Sequence, residues 1–499
     1  MPAFLDARTV PDHTAFAPDL VIVGGGPAGF TLAMALADMP IKILLLESGG
    51  LEFEQNTQRL YRGAETGNVK YVALDATRMR FLGGSSNHWG GWTRPLDPSD
   101  MDKRDWLAHS GWPIAYGDLA KHFPRANELI NAGPAQFDRL SHEERFGPPV
   151  TLGAGGVYKT WFQFSRTGPD DLPVAFGKRY GDALKAQKNL QVLLHANVTA
   201  LRLAPNAASL ARLEVATLSG RKFTVTPKHT VLACGAIENT RLLLASDDVM
   251  ETGVGNGNDL VGRFFADHGI PRDTATLVLF NGQIPSYWKT AVDMQGALAR
   301  AAFSPTEAFK PKSRVLGSLT TVENNVPLDD LAQAAVDVTA SSLGVESVRA
   351  KAWSMGCGIE LAPDPDRRLT LTHERDALGL PRLKLDMRIS DEDFARYRLT
   401  MRELGRQLLA AKSGMVRLNR NTRAEWLAAM DWGNHHMGTT RMSDDPKTGV
   451  VDANLKMHGV ANLFVAGSAS FPTYGSSNPT MNLIALTLRL ADHIKGLFV

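Results

Sequence analysis

Cysteine is scarce in this chain: only Cys234 and Cys357 occur among 499 residues, in different regions and without a spacing typical of metal ligands. This usage fits a reducing compartment in which both thiols are buried and unreactive, and the sequence indicates no metal site. No apolar run is long enough to span a membrane. The first 18 residues lack the basic and apolar segments of a secretory signal. We therefore expect a cytoplasmic protein without a membrane span, unless it is exported together with a signal-bearing partner.

Strong charge of either sign is also absent. The formal net charge is +2, which gives no reason to expect nucleic acid or another polyanion as a partner. Hydrophobic residues make up 44% of the chain and charged residues 21%, as in an ordinary globular protein. The length allows two or three domains, and the sequence contains neither an internal repeat nor a low-complexity run.

A glycine-rich segment follows the first apolar run. Leu20–Val23 is predicted as a buried parallel strand. Gly24, Gly26 and Gly29 come next with G-x-G-x-x-G spacing, and Phe30–Ala37 is predicted as a helix. The first glycine permits a tight turn, the second lets the backbone approach a pyrophosphate, and the third lets the helix pack on the sheet.

A second apolar strand, Ile41–Leu46, ends on Glu47. A carboxylate at this point can accept hydrogen bonds from ribose hydroxyls, which argues against a 2′-phosphate and hence against NADP. Strand, glycines, helix, strand and acid together predict a dinucleotide site with its phosphates at the helix N-terminus. These residues alone do not decide between FAD and NAD.

Further along the chain, the pattern alternates between two kinds of region. Strand-like segments in 186–270 and in 431–499 indicate returns to the nucleotide-binding domain that begins in residues 1–96. Residues 97–185 are predicted as a lid or connection with capped helices. Residues 271–430 are predicted as a substrate-binding domain, because alternating apolar and polar residues indicate sheet strands.

Four local predictions follow from composition and periodicity. Residues 1–18 are expected to form a disordered or loosely docked arm. Tyr116–Ile130 has helical periodicity, and Ser390–Ala411 is predicted as an amphipathic helix with an acidic first turn. Thr480–Ile494 is predicted as a closing helix whose N-terminus can face an anionic or electron-rich cofactor.

Five short motifs carry a resemblance to a known family. They are VIVGGGPAG, FLGGSSNHWGG, VGRFFADH, HHMGTTRM and NLFVAGSASFPTYGSSNPT. Over most of the chain it resembles the glucose–methanol–choline (GMC) oxidoreductases. The last motif, and the Asn-His-Trp of the second, are most similar to the pyranose-oxidase branch. The resemblance implies an α/β fold (α+β overall): a discontinuous Rossmann-like FAD-binding domain with an inserted substrate domain built on a mostly antiparallel sheet with helices.

The resemblance also implies FAD as the cofactor and a catalytic pair beside its flavin ring. The histidine before the Gly-Thr of the fourth motif is His435, and its partner, a His or Asn in the family, is Asn478. His436 is expected to face away in an extended segment, whereas His268 and His458 are expected to be structural or hydrogen-bonding. The resemblance further implies these cofactor-binding residues: Gly24, Gly26, Gly29, Glu47, Gly84, Ser85, Asn87, His88, Val198, Gly467, Ser468, Asn478, Pro479 and Thr480.

His88 raises the question of covalent attachment. In pyranose oxidases the histidine of a Thr-His-Trp motif is bonded to the flavin. Asn87 replaces that threonine here, and we expect a non-covalent contact between His88 and the cofactor.

The implied reaction is oxidation of an alcohol to a carbonyl. Neutral His435 would accept the hydroxyl proton, Asn478 would orient the oxygen, and the hydride would go to flavin N5. A sugar or glycoside is the expected substrate, and an aryl or other secondary alcohol is the alternative. Trp288, Trp353 and Trp432 are candidates for stacking on a sugar, although each is more readily explained as a core residue.

Other partners are less defined by the sequence. The electron acceptor would be O₂, a quinone or another acceptor, and an oligomer or an electron-transfer subunit is compatible with the sequence. An NAD-linked flavoprotein reductase is the rival enzyme class. It needs a second glycine-rich unit, and the nearest candidate, CGAIEN at 234–239, has one glycine. A non-catalytic flavin-binding protein is the third class.

Overall fold

The structure is a computed structural model that describes residues 3–135, 137, 143–167, 172–345 and 348–498. Its strands are β1 Phe4–Asp6, β2 Ala15–Phe16, β3 Leu20–Val23, β4 Ile43–Leu46, β5 Gly63–Gly67, β6 Trp92–Thr93, β7 Val157–Phe164, β8 Leu190–Leu194, β9 Asn197–Leu203, β10 Leu210–Ala216, β11 Lys222–Val225, β12 His229–Leu232, β13 Gly269–Pro271, β14 Ala275–Leu279, β15 Val292–Met294, β16 Ala297–Pro305, β17 Ser318–Val326, β18 Lys351–Ile359, β19 Arg368–Arg375, β20 Pro381–Met387, β21 Gly414–Leu418, β22 Met430–Trp432 and β23 Leu463–Val465. Its α-helices are α1 Pro27–Ala35, α2 Gln55–Gln58, α3 Pro98–Met101, α4 Tyr116–Ala120, α5 Phe123–Leu129, α6 Phe176–Ala186, α7 Gly235–Leu244, α8 Phe309–Ser313, α9 Asp330–Ser342, α10 Asp391–Ala410, α11 Arg423–Ala428 and α12 Pro479–Gly496.

The predicted β3–α1–β4 unit forms the centre of a parallel sheet with the strand order β1-β8-β4-β3-β12-β23. Every residue of β3 and β4 is buried, as their continuous apolar sequence indicates. Val21 pairs with Leu44 on one side and with Thr230 on the other. The chain therefore builds outward from β3 in both directions. In such sheets, ligands bind beyond the carboxyl ends of the strands at this switch point.

The N-terminal arm is part of the sheets rather than disordered. β1 pairs in parallel with β8, and β2 pairs in parallel with β11 at the edge of a second sheet, β2-β11-β10-β9. The prediction of a loose arm is wrong over residues 3–18, because strand pairing with distant partners orders a segment that has little periodicity of its own. Residues 1 and 2, and residue 499 of the predicted nucleotide domain, lie outside the described residues.

A large and mostly antiparallel sheet forms the second part of the molecule, in the order β21-β14-β18-β17-β16-β7-β6. A smaller sheet, β19-β20-β5, lies beside it. The predicted antiparallel sheet with helices is thus confirmed, and with it the α/β fold class. β7 lies in the segment predicted as a lid or connection, part of which is outside the described residues, and pairs with β16. The predicted domain boundaries remain a proposal.

The predictions of two long helices had different outcomes. α10 begins after Ser390, whose hydroxyl and the Asp393 carboxylate form a capping box, and its first turn is acidic. The predicted helix over Tyr116–Ile130 is instead two helices, α4 and α5. Pro124 explains the break, because it has no N–H and its ring would clash with the carbonyl of residue 120 in a continuous helix. Of the helices in the described residues, none combines the length and apolar character needed to cross a bilayer.

Candidate active site

A cavity of about 430 Å³ opens where the parallel sheet meets the second part of the molecule. The residues that follow the carboxyl ends of four parallel strands line it: Gly24 after β3, Glu47 after β4, Ala233 after β12 and Ala466 after β23. This is the position at which a doubly wound sheet binds its ligand.

Three helices begin at the cavity wall. The residues before α1, α7 and α12 are Gly26, Cys234 and Asn478, and none makes a side-chain cap hydrogen bond. The first N–H groups of these helices lack intrahelical partners, and the helix dipoles add positive potential. Three uncapped helix starts at one cavity favour an anionic or electron-rich ligand.

The glycines of the first motif differ in what they do. Gly24 has a φ of +108°, which disfavours any residue with a side chain. A Cβ on Gly26 would meet nothing within 4 Å, because this glycine faces the open cavity. A Cβ on Gly29 would lie 2.0 Å from the carbonyl oxygen of Gly24. Gly29 therefore serves close packing of α1 on β3 and is not part of the cavity lining.

Glu47 lies buried at the end of β4 and lines the cavity. Its Oε2 accepts a hydrogen bond from the Gly25 N–H at 2.8 Å, and its Oε1 accepts one from the Gly49 N–H at 2.7 Å. These backbone donors fix the carboxylate at the place where the sequence predicts a ribose contact. The contact itself remains a prediction.

A cluster of charged side chains at the cavity was missed by the sequence reasoning. Glu238, near the start of α7, forms ion pairs with Arg78 at 3.1 Å and Arg80 at 3.0 Å. Both guanidiniums lie over the ring of Tyr61, at 3.9 and 4.7 Å from its centroid. Burial alone would raise the pKa of Glu238, but Arg78, Arg241 and Arg80 lower it to about 2. The available sequence signal is the position of Arg78 and Arg80 directly before FLGGSS.

The turn between β19 and β20 reaches this cluster. Arg241 Nη2 donates to Asp376 Oδ2 at 2.7 Å, and Arg241 Nε and Nη1 donate to the carbonyls of Pro381 and Leu60. Asp376 and Leu378 line the cavity beside Arg241. A hairpin distant in sequence from the glycine motif is thereby held against the cavity by one buried guanidinium.

The predicted catalytic pair lies in contact at another part of the wall. His435 Nε2 is 3.2 Å from Asn478 Nδ2. On the opposite side of its ring, His435 Nδ1 is 2.8 Å from His268 Nδ1. The backbone N–H of His435 donates to Asp267 Oδ1 at 2.7 Å, and Tyr71 Oη donates to Asp267 Oδ2 at 2.6 Å. Both the ring and the backbone of His435 are therefore fixed by residues of the VGRFFADH motif.

Burial controls the charge of these groups. It lowers the pKa of His435 well below its ordinary value, and His268 and His436 lower it further. Burial also lowers the pKa of His268 to about 4 and that of His436 to about 3. Burial raises the pKa of Asp267 to about 7. All three imidazoles are consequently neutral near pH 7.

His436 differs in part from its prediction. Its ring lies 5.8 Å from the ring of Phe265, whereas the Asn478 amide contacts His435, yet His436 also lines the cavity. His458 lies elsewhere, with its Nε2 2.9 Å from the carbonyl oxygen of Ser443. The adjacent residues His435 and His436 therefore both reach the cavity. His435 contacts Asn478, and His436 packs near Phe265.

Asn87 organises the glycine loop rather than lining the cavity. Its side-chain amide donates to the carbonyls of Leu82 and Gly84, at 3.1 and 2.9 Å. His88 follows it and lines the cavity. This places His88 among the residues able to contact a cofactor and gives Asn87 a supporting role.

The structure brings most of the predicted site residues into one cavity. Those that line it are Gly24, Gly26, Glu47, Gly84, Ser85, His88, Val198, His435, Gly467, Ser468, Asn478, Pro479 and Thr480. The tryptophans considered for sugar stacking, Trp288, Trp353 and Trp432, are buried in a hydrophobic core and not in this lining. Cys234 lines the cavity as a thiol whose pKa burial raises to about 12, so it remains protonated.

The residues present fit FAD. The open space at Gly26 and the uncapped start of α1 suit a pyrophosphate, and the fixed carboxylate of Glu47 suits ribose hydroxyls. The start of α12 faces the same cavity from the side of His435 and Asn478. A group of three or more side chains able to hold a metal ion does not occur within the described part of the chain.

Comparison with known proteins gives consistent results. The family model described as GMC oxidoreductase matches residues 363–487. The fructose dehydrogenase large subunit of Gluconobacter japonicus is 28% identical over 54% of this chain, a match that spans about half of that relative, 47%. Paromamine 6′-oxidase of Streptomyces fradiae is 24% identical over 96% of this chain and 91% of its own length.

Solved structures share the fold. Pyridoxine 4-oxidase from Mesorbium loti superposes with a TM-score of 0.58 at 20% identity, covering 95% of this chain and 98% of that structure. At this identity the likeness establishes the fold alone. Fold, glycine motif, C-terminal family match and full-length relatives all support the GMC oxidoreductases, and each is consistent with FAD-dependent oxidation of an alcohol group.

Proposed function

We propose that this chain oxidises an alcohol group of a sugar or glycoside to a carbonyl, with His435 as general base and Asn478 as the residue that orients the hydroxyl. The observation that carries the proposal is the contact between His435 Nε2 and Asn478 Nδ2, 3.2 Å apart at the wall of the cavity. Two polar groups at this distance can both reach one substrate oxygen.

When bound, FAD supplies the acceptor for the hydride that leaves the substrate carbon. The residues proposed to hold it are Gly26, Glu47 and Val198 on the side of the parallel sheet, with His88 and the start of α12 on the other. The ion pairs of Glu238 add fixed charge to the same wall. No covalent attachment at His88 is proposed.

The chain's own residues handle the proton. Because burial keeps His435 neutral, its ring is available to accept the proton of the substrate hydroxyl near pH 7. Asn478 donates to the same oxygen and limits its orientation. The oxygen loses its proton to His435 while the carbon loses a hydride, so the products are a carbonyl group and an imidazolium.

The sugar assignment rests on two kinds of support. The relatives include a fructose dehydrogenase and a paromamine 6′-oxidase, whose names describe action on sugars or aminoglycosides. The wall around His435 also offers polar groups for a hydroxyl-rich ligand, among them Asn434, His436 and Ser468. Aryl and other secondary alcohols are the alternative outcome of the test.

The test is anaerobic mixing of the FAD-loaded protein with sugars, glycosides, aryl alcohols and NADH, followed by flavin absorbance. This reaction needs no electron acceptor, so the choice between O₂, a quinone or a partner subunit does not affect it. Bleaching that is fastest with a sugar or glycoside, and lost in His435→Gln at equal FAD content, is the expected result. Bleaching only by aryl alcohols would overturn the sugar assignment, and bleaching only by NADH would overturn the reaction class.

A further inference from the structure

A backbone carbonyl begins a chain of hydrogen bonds that ends at the proposed base. The carbonyl oxygen of Gly475 is 2.9 Å from His268 Nε2, and His268 Nδ1 is 2.8 Å from His435 Nδ1. Both rings are buried, and burial keeps both neutral. Each ring therefore carries one proton on one of its two nitrogens.

The carbonyl decides where those protons lie. A carbonyl oxygen only accepts, so His268 Nε2 must carry the proton of that ring. The lone pair of His268 is then on Nδ1, and His435 Nδ1 must donate to it. A neutral His435 that has its proton on Nδ1 has its lone pair on Nε2. This deduction is independent of which way the Asn478 amide is oriented.

We propose that His268 is a positioning residue that fixes the tautomer of His435 and so keeps a lone pair on Nε2, the nitrogen beside Asn478. The inference rests on the proposed role of His435 as the base. A neutral imidazole here would do what a carboxylate does in a Ser-His-Asp triad, where the third residue selects the tautomer and orientation of the base.

The surroundings hold the arrangement in place. The ring of His268 lies edge-on to that of Tyr474, with centroids 4.9 Å apart. The Tyr474 hydroxyl donates to the carbonyl of Asp267 at 3.2 Å and accepts from the Leu361 N–H at 2.7 Å. Since His268 is 3% exposed, water has little access to replace its contacts.

Gly475 is itself constrained. Its φ is +55°, and a Cβ at this position would overlap the buried carboxylate of Asp100. The peptide carbonyl of Gly475 is thus held at one place in the wall, three residues before Asn478. The same loop that supplies the orienting amide also sets the proton position on the base, through His268.

Kinetics of anaerobic flavin bleaching provide the first test, with variants checked for FAD content and melting temperature. His268→Leu removes both nitrogens and keeps apolar bulk, and we expect the limiting rate to fall roughly 10- to 100-fold, less than the roughly 10²- to 10⁴-fold expected on loss of a base. His268→Gln, whose amide can accept from His435 and donate to Gly475, should recover most of the rate. His458→Leu is the matched control, because His458 Nε2 also faces a backbone carbonyl, and its rate should be unchanged.

A double variant separates positioning from general damage. In a His435→Gln background there is no tautomer to select, so adding His268→Leu should slow bleaching by less than about threefold. A full additional 10-fold loss would show that His268 acts through packing and would overturn the inference. If His435→Gln alone bleaches at the wild-type rate, the proposed base is wrong, and that result is distinct from failure of the tautomer inference.

Nitrogen NMR tests the tautomer without turnover. In long-range ¹H–¹⁵N spectra of protein labelled with ¹⁵N-histidine, the His435 signals are those missing from His435→Gln. We expect a protonated Nδ1 and an unprotonated Nε2 for His435, retained in His268→Gln and changed in His268→Leu. A protonated Nε2 in the wild-type protein would overturn the inference whatever the kinetics show.

Discussion

Two parts of one cavity wall use opposite means to control charge. The arginine end consists of Arg78, Arg80, Glu238, Arg241 and Asp376, and the histidine end of His268, His435, His436 and Asn478. At the arginine end, ion pairs offset burial and hold the pKa of Glu238 at about 2. At the histidine end, burial outweighs the groups that oppose it, and the pKa values of the imidazoles fall.

The difference shows what each end is suited to do. Fixed charges that satisfy one another give a rigid wall that does not change protonation across the physiological range. Neutral imidazoles with defined tautomers can accept a proton, because one nitrogen has a free lone pair. Holding a ligand and moving a proton therefore require different electrostatics, and the cavity provides each in a separate place.

The largest effect should come from removing the proposed base at the histidine end. His435→Ala should slow anaerobic flavin bleaching by about 10²–10⁴-fold, because it removes the proposed proton acceptor beside Asn478. FAD content should be unchanged, since the arginine end is intact. His436→Ala should slow bleaching less, because the His436 ring packs near Phe265 and the Asn478 amide contacts His435 instead. If His436→Ala is the crippling change, the catalytic assignment is off by one residue.

Breaking the arginine end should instead affect folding and cofactor retention. Glu238→Gln leaves the buried guanidiniums of Arg78 and Arg80 without their carboxylate, which should lower the free energy of unfolding by about 3–5 kcal/mol. Denaturant unfolding and FAD content per chain measure this. Asp386→Asn is the control, because it removes an ion pair with exposed Arg388 and should lower the free energy of unfolding far less. Equal losses in both variants would contradict the comparison.

Asn478→Ala tests the histidine end without removing the base. It deletes one orienting hydrogen bond, so the barrier to flavin bleaching should rise by roughly 1–3 kcal/mol. The effect should be smaller than that of His435→Ala, with FAD still bound. Stopped-flow bleaching with the best substrate makes the comparison, and a loss equal to that of His435→Ala would show that the amide does more than orient.

Asp376→Asn tests the arginine end without removing its central carboxylate. It weakens the contact by which Arg241 holds the β19–β20 turn against the cavity. We expect FAD to dissociate faster by about 5- to 30-fold, equivalent to about 1–2 kcal/mol, with little change in bleaching rate. Release into an excess of an apo-flavoprotein acceptor measures the rate. A larger change in the bleaching rate than in the rate of FAD dissociation would contradict the placement of Asp376 at the arginine end.

The free energy of unfolding should depend on pH differently at the two ends. A histidine with a lowered folded pKa is stabilising above its unfolded value of about 6.5, and this stability is lost as the pH falls toward the folded pKa. His436→Leu should therefore reduce the loss of unfolding free energy between pH 7 and 5.5 by about 1 kcal/mol. Glu238 has the same sign in a lower window, from about pH 4.5 to about 2, which overlaps the His436 window down to about pH 3. Below about pH 3, His436→Leu should leave the slope unchanged.

The sequence predicted the histidine end better than the arginine end. His435 and Asn478 belong to motifs with a defined spacing, and Gly24, Gly26 and Glu47 belong to one continuous strand–helix–strand unit. The arginine end joins Arg80, α7 and the β19–β20 turn, which are brought together only by tertiary structure. No local pattern relates Arg241 to Asp376, 135 positions apart.

Two misjudged elements have different physical explanations. The N-terminal arm has no amphipathic pattern of its own. Its short strands are ordered by pairing with β8 and β11. The break between α4 and α5 was readable at Pro124, whose missing N–H opposes a continuous helix. His268 was predicted to be structural or hydrogen-bonding. Its contact with the Gly475 carbonyl joins residues 207 positions apart, which no local sequence pattern indicates.

The placement of β23 and α12 has a consequence for the timing of biosynthesis. The cavity draws its walls from residues near position 24 and from residues as late as Leu483. Ribosomes add roughly 5–20 residues per second, so the early glycine motif is made long before α12 exists to face it. Until then the nascent chain has two of the three helix starts, an unpaired edge on β12 and an incomplete histidine end. Cofactor capture would therefore be a late event, and chaperone protection of the unpaired sheet edge would matter most while the central domain is being synthesised.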